Sequence, residues 1–352
     1  MKKPIVFTDI HWGLRSDSEL HNEDCTRYIQ WFIDVAKQEK ADGIIFAGDW
    51  FENQERIGTS TINASFNAIS ELNELGIPVE IIVGNHDITY KTSRKLYSFP
   101  YFDLLDNVST VNEIKQISQE ILLCPYLFGS EIALPPDSDC PFIFGHYDFP
   151  GFLMNQMIEA KDHGGLHADH FYQNKYIFSG HFHKRQIKQN KNDVNICFIG
   201  NPFAHDFNDV GDRDRGCMIL DVENEEPIFY NWVDGPNFNR STSSKILNLL
   251  ENDNFEKVFN EYSTIECKDD LDMEMEERIE FTDIVRSLVR NFKLIALEDS
   301  IDVSEEAEVD ENIGNIKDIT TDYISSMDEK SKFDKHLLID IFNQGYERIK
   351  EN

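Results

Sequence analysis

The sequence predicts an α/β fold of two sheets flanked by helices, followed by a small α+β module and a pair of C-terminal helices. Three observations predict this architecture. Short apolar runs alternate with helical periodicity up to about residue 100, strand patterns dominate between residues 100 and 235, and acidic residues become more frequent after residue 240. With 352 residues, 40% of them hydrophobic, the chain can bury a sizeable core.

The first 100 residues have the pattern of a β-α-β-α-β unit. Apolar runs at residues 5–7, 44–47 and 79–83 each end in a polar cluster, and residues 26–37 and 62–75 repeat apolar side chains at helical spacing. In an open α/β sheet the ligand binds outside the carboxyl ends of the strands. We therefore expect the polar residues that follow these runs to form one site.

Strand patterns predict a second sheet after residue 100. Helical periodicity is weaker in this part of the chain, and we expect the second sheet to pack on the first. The apolar runs typical of strands lie at residues 121–124, 142–144, 176–178, 194–199, 217–222 and 228–232.

The residues after the main domain predict three further segments. Strand, helix and strand patterns at residues 264–267, 273–290 and 292–297 predict a small α+β capping module. In the last helical pattern of the chain, apolar residues share one stripe, which favours a partner-binding surface over one that folds back onto the module. The predicted segments are residues 1–240 for the main domain, 241–298 for the capping module, 299–312 for an acidic linker and 313–352 for a pair of helices.

Charge and composition restrict where the protein acts and what it binds. The chain has 65 acidic and 33 basic residues, a formal charge of −32 that repels nucleic acid and anionic membranes. A polyanionic substrate must therefore be held by a local site. The six cysteines are widely spaced, and we find neither a signal-peptide pattern nor an apolar run of about 20 residues. We therefore expect a cytoplasmic protein without membrane association.

Five short polar segments each follow a strand-like apolar run. With His86 and Asp87 set aside, they offer two carboxylates, an amide oxygen and four imidazoles, a mixed donor set that favours Mn²⁺, Fe or Zn²⁺ over Ca²⁺ or Mg²⁺. A single Gly-His or Gly-Asp pair is typical of a turn, but five such segments in series predict a metal centre. The segments are Asp9-Ile10-His11, Gly48-Asp49, Gly84-Asn85-His86-Asp87, Gly145-His146 and Gly180-His181-Phe182-His183.

In type and order these segments resemble the signature of the calcineurin-like metallophosphoesterases, D-x-H, GD, GNH[DE], GH and GHxH. Residues 9–13, 48–51, 199–203 and 214–216 are also similar to the SbcD-type nuclease subunits of double-strand-break repair complexes, in particular the recombination endonuclease subunits of large tailed phages. The resemblance implies a two-sheet metallophosphoesterase sandwich. It also implies a two-metal-dependent DNA nuclease, with exonuclease activity on duplex DNA and endonuclease activity on single strands.

The resemblance further implies two divalent metal ions bridged by Asp49, with Mn²⁺ expected and Mg²⁺ as the alternative. His86 would protonate or stabilise the leaving oxygen, and Asp87 would orient the imidazole. One ion would be held by Asp9, His11, Asp49 and His183. The other ion would be held by Asp49, Asn85, His146 and His181.

The same resemblance implies several partners. The protein would form a homodimer, act on DNA, and bind an SMC-like ATPase of SbcC type through its C-terminal helices. Basic residues follow the third and fifth polar segments, and in so acidic a chain they are candidates for phosphate contacts, with ordinary surface charge as the alternative. These candidates are Lys91, Arg94, Lys95, Lys184 and Arg185.

Two other functions remain open at this point. A small-molecule or nucleotide phosphodiesterase could use the same metals but would need a lid instead of an open groove. A non-catalytic scaffold would typically have lost ligands, whereas every expected ligand is present.

Two further patterns lie outside the signature. The histidines at positions 163, 167 and 170 form a second cluster, for which we do not expect metal ligation and leave the role open. Residues 211–216 contain an Asp-Arg-Gly sequence similar to that of Ser/Thr phosphatases, but it does not follow the second polar segment, so we discount it.

Overall fold

The computed structural model describes residues 1–295, apart from Lys91, Leu134, Pro135, Asp137 and Asp272. The predicted linker at 299–312 and the helical segment at 313–352 lie outside the described residues. Within the described part, no helix is both long and apolar enough to cross a membrane. The predicted α/β architecture with two packed sheets is confirmed.

The first sheet has six strands and contains the predicted β-α-β-α-β unit. Its strands, numbered along the chain and given in spatial order, are β14 (Glu226–Asn231), β13 (Gly216–Asp221), β1 (Pro4–Phe7), β2 (Gly43–Phe46), β3 (Val79–Ile82) and β6 (Val108–Val111). Strands β1, β2, β3 and β6 are parallel, whereas β13 and β14 run antiparallel to their neighbours. Parallel strands place their carboxyl ends at one edge, so the polar residues after β1, β2 and β3 lie together.

The second sheet also has six strands, of which the central four are parallel. In spatial order they are β11 (Gln186–Gln189), β12 (Asn195–Phe198), β10 (Tyr176–Gly180), β9 (Phe142–His146), β8 (Ile121–Leu123) and β7 (Lys115–Gln116). A separate hairpin, β4 (Ile88–Tyr90) and β5 (Ser93–Tyr97), follows β3 in the chain.

The alternation of side chains along the first sheet explains the layers. Val6 and Ile45 belong to the core between the sheets, together with Phe144 and Phe178, whose rings stack at 4.8 Å. Residues on the other face of the first sheet pack against helices, because neighbouring side chains on a strand point to opposite faces. Those helices are α2 (Glu19–Glu39) and α3 (Thr59–Asn73), which follow a four-residue turn, α1 (Leu14–Asp17), whose last three residues have positive φ.

The capping module is a three-stranded parallel sheet with its own apolar core. The predicted strand-helix-strand unit is present, with its helix ending at Arg286, and the module adds one strand and two helices before it. The added strand crosses the predicted boundary at residue 240. The elements are β15 (Asn237–Thr242), α4 (Ser243–Glu251), α5 (Phe255–Val258), β16 (Ser263–Lys268), α6 (Met275–Arg286) and β17 (Asn291–Ile295).

Candidate metal centre

The five polar segments meet at the carboxyl ends of five parallel strands. Asp9 follows β1, Asp49 follows β2 and Asn85 follows β3, all in the first sheet. His146 is the last residue of β9, and His181 follows β10, both in the second sheet. The site therefore forms only when the two sheets pack together.

The first group of ligand atoms belongs to Asp9, His11 and His183, which lie within 4.8 Å of one another. The His11 Nε2 atom lies 3.9 Å from Asp9 Oδ1 and 3.8 Å from Asp49 Oδ2. This nitrogen is buried and has no hydrogen-bond partner. A buried polar atom without a partner is costly, so its position between two carboxylates fits a cation at this point.

The second group belongs to Asp49, His146 and His181, which also lie within 4.8 Å of one another. The side-chain oxygen of Asn85 lies 2.9 Å from His146 Nε2 and 2.8 Å from His181 Nδ1. Asp49 Oδ2 lies 3.2 Å from His146 Nε2, and the same oxygen faces His11 in the first group. One carboxylate therefore lies between the two groups, where the sequence analysis expected a bridging ligand.

Four ligand candidates have an unusual backbone conformation. Asp9, His11, Asp49 and His181 have φ values of 52°, 50°, 62° and 83°, in a region that residues other than glycine rarely adopt. Such strain persists only where the surrounding structure enforces it, and it occurs most often at functional sites. The strain at these four residues therefore supports a functional role for their side chains.

The glycines of the polar segments leave room for neighbouring ligands. A Cβ atom at Gly48 would lie 2.3 Å from Nδ1 of His146, and one at Gly84 would lie 2.2 Å from Oδ1 of Asp49. Any side chain at these two positions would displace a ligand candidate. The Gly-Asp and Gly-Asn pairs are thus explained by close packing within the site.

Asp87 is a backbone clamp rather than a partner of the His86 imidazole. Its carboxylate is completely buried and accepts hydrogen bonds from the N–H groups of Asp49, Trp50, Phe51 and Gly84 at 2.8–3.2 Å. These bonds hold the loops after β2 and β3 against each other. Burial, with the nearby charge of Asp49, raises the pKa of Asp87 to about 6.

The carboxylate beside His86 is Glu52, which the sequence analysis did not select. Glu52 Oε2 lies 2.8 Å from His11 Nδ1 and 3.8 Å from His86 Nδ1, while the Glu52 backbone oxygen lies 2.8 Å from His86 Nδ1. Glu52 therefore contacts a ligand candidate and the proposed acid at the same time. Its position three residues after Asp49 was the only signal available in the sequence, and it matches none of the signature segments.

His183 is held by the loop that contains the discounted Asp-Arg-Gly sequence. The buried guanidinium of Arg215 donates to the His183 backbone oxygen at 3.2 Å and pairs with Asp209 at 2.9 Å and Asp212 at 3.1 Å. The backbone N–H of Asn201 donates to the same oxygen at 3.2 Å. Residues 211–216 thus have a structural role beneath the site, which agrees with discounting them as a phosphatase motif.

The charges in the site favour a cation. Asp9 and Asp49 are buried, and in the part of the chain that the structure describes their only ion-pair partners are imidazoles. Although burial alone lowers it, the pKa of His146 is raised to about 9 by Asp49. Burial and the neighbouring His146 lower the pKa of His181 to about 3. Carboxylate, amide and imidazole donors of this kind fit divalent transition metals.

The residues predicted to contact phosphate differ in whether their side chains already donate hydrogen bonds to other groups of the protein. The guanidinium of Arg94 donates to both carboxylate oxygens of Glu131 at 2.7 and 2.8 Å, and Arg185 donates to Asn231 Oδ1 at 2.6 Å and to a backbone oxygen. Lys184 donates to Gln156, whereas Lys95 is exposed. Lys91 lies outside the described residues. The guanidinium groups of both arginines are therefore bound to acceptors of the protein itself.

The second histidine cluster does not form a group of metal ligands among the described residues. The ring of His170 accepts a hydrogen bond from the His167 backbone N–H, and His167 Nε2 lies 3.4 Å from Asp162. His163 and His167 instead line a cavity beside His146.

The fold and the ligand set define a dinuclear phosphoesterase. A sequence profile of the calcineurin-like phosphoesterases matches residues 3–185, more than half of the chain, and the protein belongs to this family. Members of the family use a dinuclear metal centre, and the two ligand groups joined by Asp49 fit such a centre.

The individual proteins and structures that resemble the chain share low to moderate sequence identity with it. The chain is 24% identical over 353 residues to exonuclease subunit 1 of Enterobacteria phage T4, covering 98% of each protein. It is 32% identical over 84 residues to the DNA double-strand break repair protein Mre11 of Sulfurisphaera tokodaii, covering 24% of this chain and 21% of that one. A crystal structure of a dimetal phosphatase from Danio rerio aligns with a TM-score of 0.38 and 11% identity, covering 62% of this chain and 91% of the other.

Proposed function

We propose that this protein is a two-metal-dependent DNA nuclease that hydrolyses phosphodiester bonds, as an exonuclease on duplex DNA and an endonuclease on single strands. The observation that carries the proposal is the pair of ligand groups that share Asp49. Similarity to a phage exonuclease subunit along 98% of both chains supports DNA as the substrate. The weaker similarity to a double-strand-break repair protein supports a role in recombination and repair.

The residues have distinct roles in this proposal. Two divalent cations, with Mn²⁺ expected and Mg²⁺ as the alternative, would neutralise the scissile phosphate and activate water at neutral pH. Asp49 would contribute to both binding sites. One site would add Asp9, His11 and His183, and the other would add Asn85, His146 and His181.

His86 is the proposed general acid for the leaving oxygen. Its side chain is 39% exposed, whereas those of His11 and Asp49 are only 3% and 2% exposed, so substrate reaches the ligands from the side of His86. Glu52 takes the orienting role that the sequence analysis assigned to Asp87, because Glu52 contacts the imidazoles of both His86 and His11. Asp87 maintains the loops that present Asp49 and Asn85.

DNA binding by so acidic a protein depends on a few local cations. Lys95, which is exposed, and Lys184, which donates to the Gln156 side chain, remain our candidates for phosphate contacts, since Arg94 and Arg185 each donate to two or more protein acceptors. We further propose a homodimer in the cytoplasm, that of the host if the protein is phage-encoded, which works with an SMC-like ATPase of SbcC type. Residues 313–352, outside the described part, would bind that ATPase.

The full-length protein tests this proposal directly. Purified enzyme with Mn²⁺ should degrade linear duplex DNA and single-stranded DNA, and EDTA should stop both reactions. Bis(4-nitrophenyl) phosphate reports the activity of the metal centre without any DNA contact. Hydrolysis of this ester and of nucleotide diesters, with no cleavage of either DNA, would favour a small-molecule phosphodiesterase instead.

The partner is tested separately with a candidate SbcC-type ATPase. We expect co-purification and an ATP-stimulated rate on duplex DNA. Removal of residues 313–352 should abolish both while single-stranded DNA is still cleaved. A truncated protein that binds the ATPase with full affinity would contradict the assignment of this segment.

A further inference from the structure

An open cavity of about 110 Å³ lies next to the metal centre. His146 forms part of its wall, so the cavity and the second ligand group are neighbours. The segment of residues 161–167, which contains two histidines of unassigned role, also lines the cavity. Apart from His146, no described residue that lines this cavity belongs to a phosphoesterase signature segment.

The cavity has an aromatic face and polar edges. The half-buried ring of Tyr126 lies 6.2 Å from the rings of both His146 and His181. The lining also contains the apolar side chains of Leu127, Ile132 and Leu166 and the polar side chains of Lys161, Asp162 and His167. Polar groups are present at the rim, where Asp148 offers a carboxylate and His163 an exposed imidazole. Apolar and aromatic side chains beside a few polar groups are typical of sites for small organic rings.

The backbone of Tyr126 is held by hydrogen bonds to residues outside the cavity. Its backbone N–H donates to the oxygen of Val83 at 2.9 Å, and its backbone oxygen accepts from Arg94 Nη1 at 2.8 Å. Arg94 in turn forms a bidentate pair with Glu131 and lies 4.7 Å above the ring of Phe128. The backbone that carries the aromatic face is therefore held on both its N–H and its carbonyl side, as a binding platform requires.

We propose that this cavity binds the base of the nucleotide next to the scissile phosphate. Tyr126 would stack on the base, while Asp148 and His163 would hydrogen-bond its polar edges. A free phosphate would face Asp148 and Asp162 as well as Lys161, and it would leave the ring of Tyr126 uncovered. This inference rests on the proposed nuclease function, and it specifies how an unpaired nucleotide is held during cleavage.

The inference also predicts a preference for unpaired DNA. A base stacked within a duplex cannot enter a pocket beside the metal centre, so the nucleotide must first be unstacked. Single strands and frayed ends meet this condition with the least cost. An internal duplex position would need help from a partner that opens the helix.

Two esters with the same leaving group test the cavity. The 4-nitrophenyl esters of thymidine 5′- and 3′-phosphate carry a base, whereas methyl 4-nitrophenyl phosphate does not. In the full-length enzyme with Mn²⁺, Tyr126→Leu should reduce the preference in kcat/KM for the favoured thymidine ester over the methyl ester by about tenfold, as expected for loss of one base–aromatic stack. His163→Ala should reduce it by a smaller factor.

Matched variants separate stacking from general damage. Tyr126→Phe keeps the ring and should keep the preference, and Tyr172→Ala removes a 67% exposed tyrosine outside the cavity and should have no effect. The preference is a ratio within each variant, so a partial loss of metal in Tyr126→Leu does not obscure it.

Failure of this inference differs from failure of the proposed function. If wild type cleaves DNA but Tyr126→Leu and His163→Ala both retain the full preference, the base site is wrong and the nuclease is not. If wild type hydrolyses the esters but no DNA, the nuclease proposal fails. In that case a preference that still depends on Tyr126 would support a nucleotide site in a small-molecule enzyme.

Discussion

The candidate ligands of the metal centre are mainly oxygen atoms at one sheet edge and nitrogen atoms at the other. Residues after the first-sheet strands provide Asp9, Asp49 and Asn85, whereas β9 and the segment after β10 provide His146 and His181. The first-sheet edge therefore contributes the negative charge that attracts cations. The second-sheet edge contributes imidazoles, which bind metals only in their neutral form.

The buried side chains that hold the two edges in place also differ: a carboxylate holds the first edge and a guanidinium holds the second. On the first edge, the carboxylate of Asp87 accepts four backbone N–H groups and fixes the loop in which Asp49 has positive φ. On the second edge, the guanidinium of Arg215 donates to the His183 backbone. Burial, then the neighbouring His11 and Arg215, lower the pKa of His183 well below its usual value. The first support thus enforces backbone geometry, and the second also keeps a ligand neutral.

Asp49 is the residue that joins the two edges, so its removal should have the largest effect. We expect Asp49→Ala to lose detectable nuclease activity and tight binding of both metal ions, because no neighbouring carboxylate can replace one that faces both groups. Calorimetric titration with Mn²⁺ measures the stoichiometry. Asp34→Ala, at an exposed position on α2, is the control. Two equivalents of tightly bound Mn²⁺ in Asp49→Ala would disprove the shared ligand.

Arg215 should be the most sensitive support of the second edge. Replacing it with Met leaves Asp209 and Asp212 buried without their cation, so we expect the free energy of unfolding to fall by about 3–5 kcal/mol. Urea denaturation with EDTA present measures this loss without a contribution from metal. The exposed Arg56→Met is the control. A loss below about 1 kcal/mol would show that the loop holds His183 without the guanidinium.

His86 lies at the open side of the site, between the two edges and the solvent. We expect His86→Ala to lower turnover by roughly 10²- to 10⁴-fold, the usual contribution of a general acid, while both metal ions are retained. Single-turnover cleavage and Mn²⁺ titration on the same preparation separate the two properties. Loss of a metal ion in this variant would move His86 into the ligand set and remove its role as acid.

Substitution of Glu52 tests whether metal binding at the first edge depends on the carboxylate that contacts His11. We expect Glu52→Gln to weaken the affinity of the His11 metal site by roughly 10- to 100-fold, since its carboxylate contacts His11 Nδ1. The second site, which Glu52 does not contact, should keep its affinity. A two-site fit of Mn²⁺ titrations distinguishes the sites, and equal weakening of both would contradict a local effect.

Much of this arrangement could be predicted from the sequence because it depends on strand ends. Each polar segment directly follows an apolar run, and the carboxyl ends of parallel strands meet at one edge. The predicted ligands, from Asp9 to His183, are brought together on this basis. Strands with few apolar residues, such as β5 and β15, were missed because their sequences, SRKLY and NFNRST, lack the pattern that marks a buried strand.

Residues that act through distant contacts could not be predicted. Glu52 belongs to no signature segment, and its contact with His11 joins loops that are 41 positions apart in numbering. The same holds for Arg94, which was expected to contact DNA but pairs with Glu131, 37 residues later. The pairing of β1 with β2 creates the first contact, whereas the packing of the two sheets creates the second. Sequence patterns therefore brought out the candidate ligands better than the residues that hold them in place.

The Arg94–Glu131 pair links the two edges at the surface, and we expect it to have the smallest effect. Arg94 lies on β5, which follows the first-sheet strand β3, whereas Glu131 follows β8 of the second sheet. The hydrogen bonds from Arg94 lower the pKa of Glu131 in the folded protein. A lowered pKa stabilises the fold above the pKa of the unfolded chain, and this stabilisation disappears as the pH falls through the folded value. Because Glu131 is 39% exposed, solvent limits the contribution to about 1 kcal/mol or less.

Glu131→Gln should therefore be less stable than wild type at pH 7, and the difference should shrink as the pH falls below about 4.3, the usual pKa of glutamate. Urea denaturation at several pH values, with EDTA present, measures the difference. Glu261→Gln, at an exposed position of the capping module, should show no such trend. If Glu131→Gln differs from wild type by the same amount at every pH, the side-chain amide has changed packing rather than removed a charge. The link between the two edges would then be steric, and Arg94 would hold the Tyr126 backbone without help from the carboxylate.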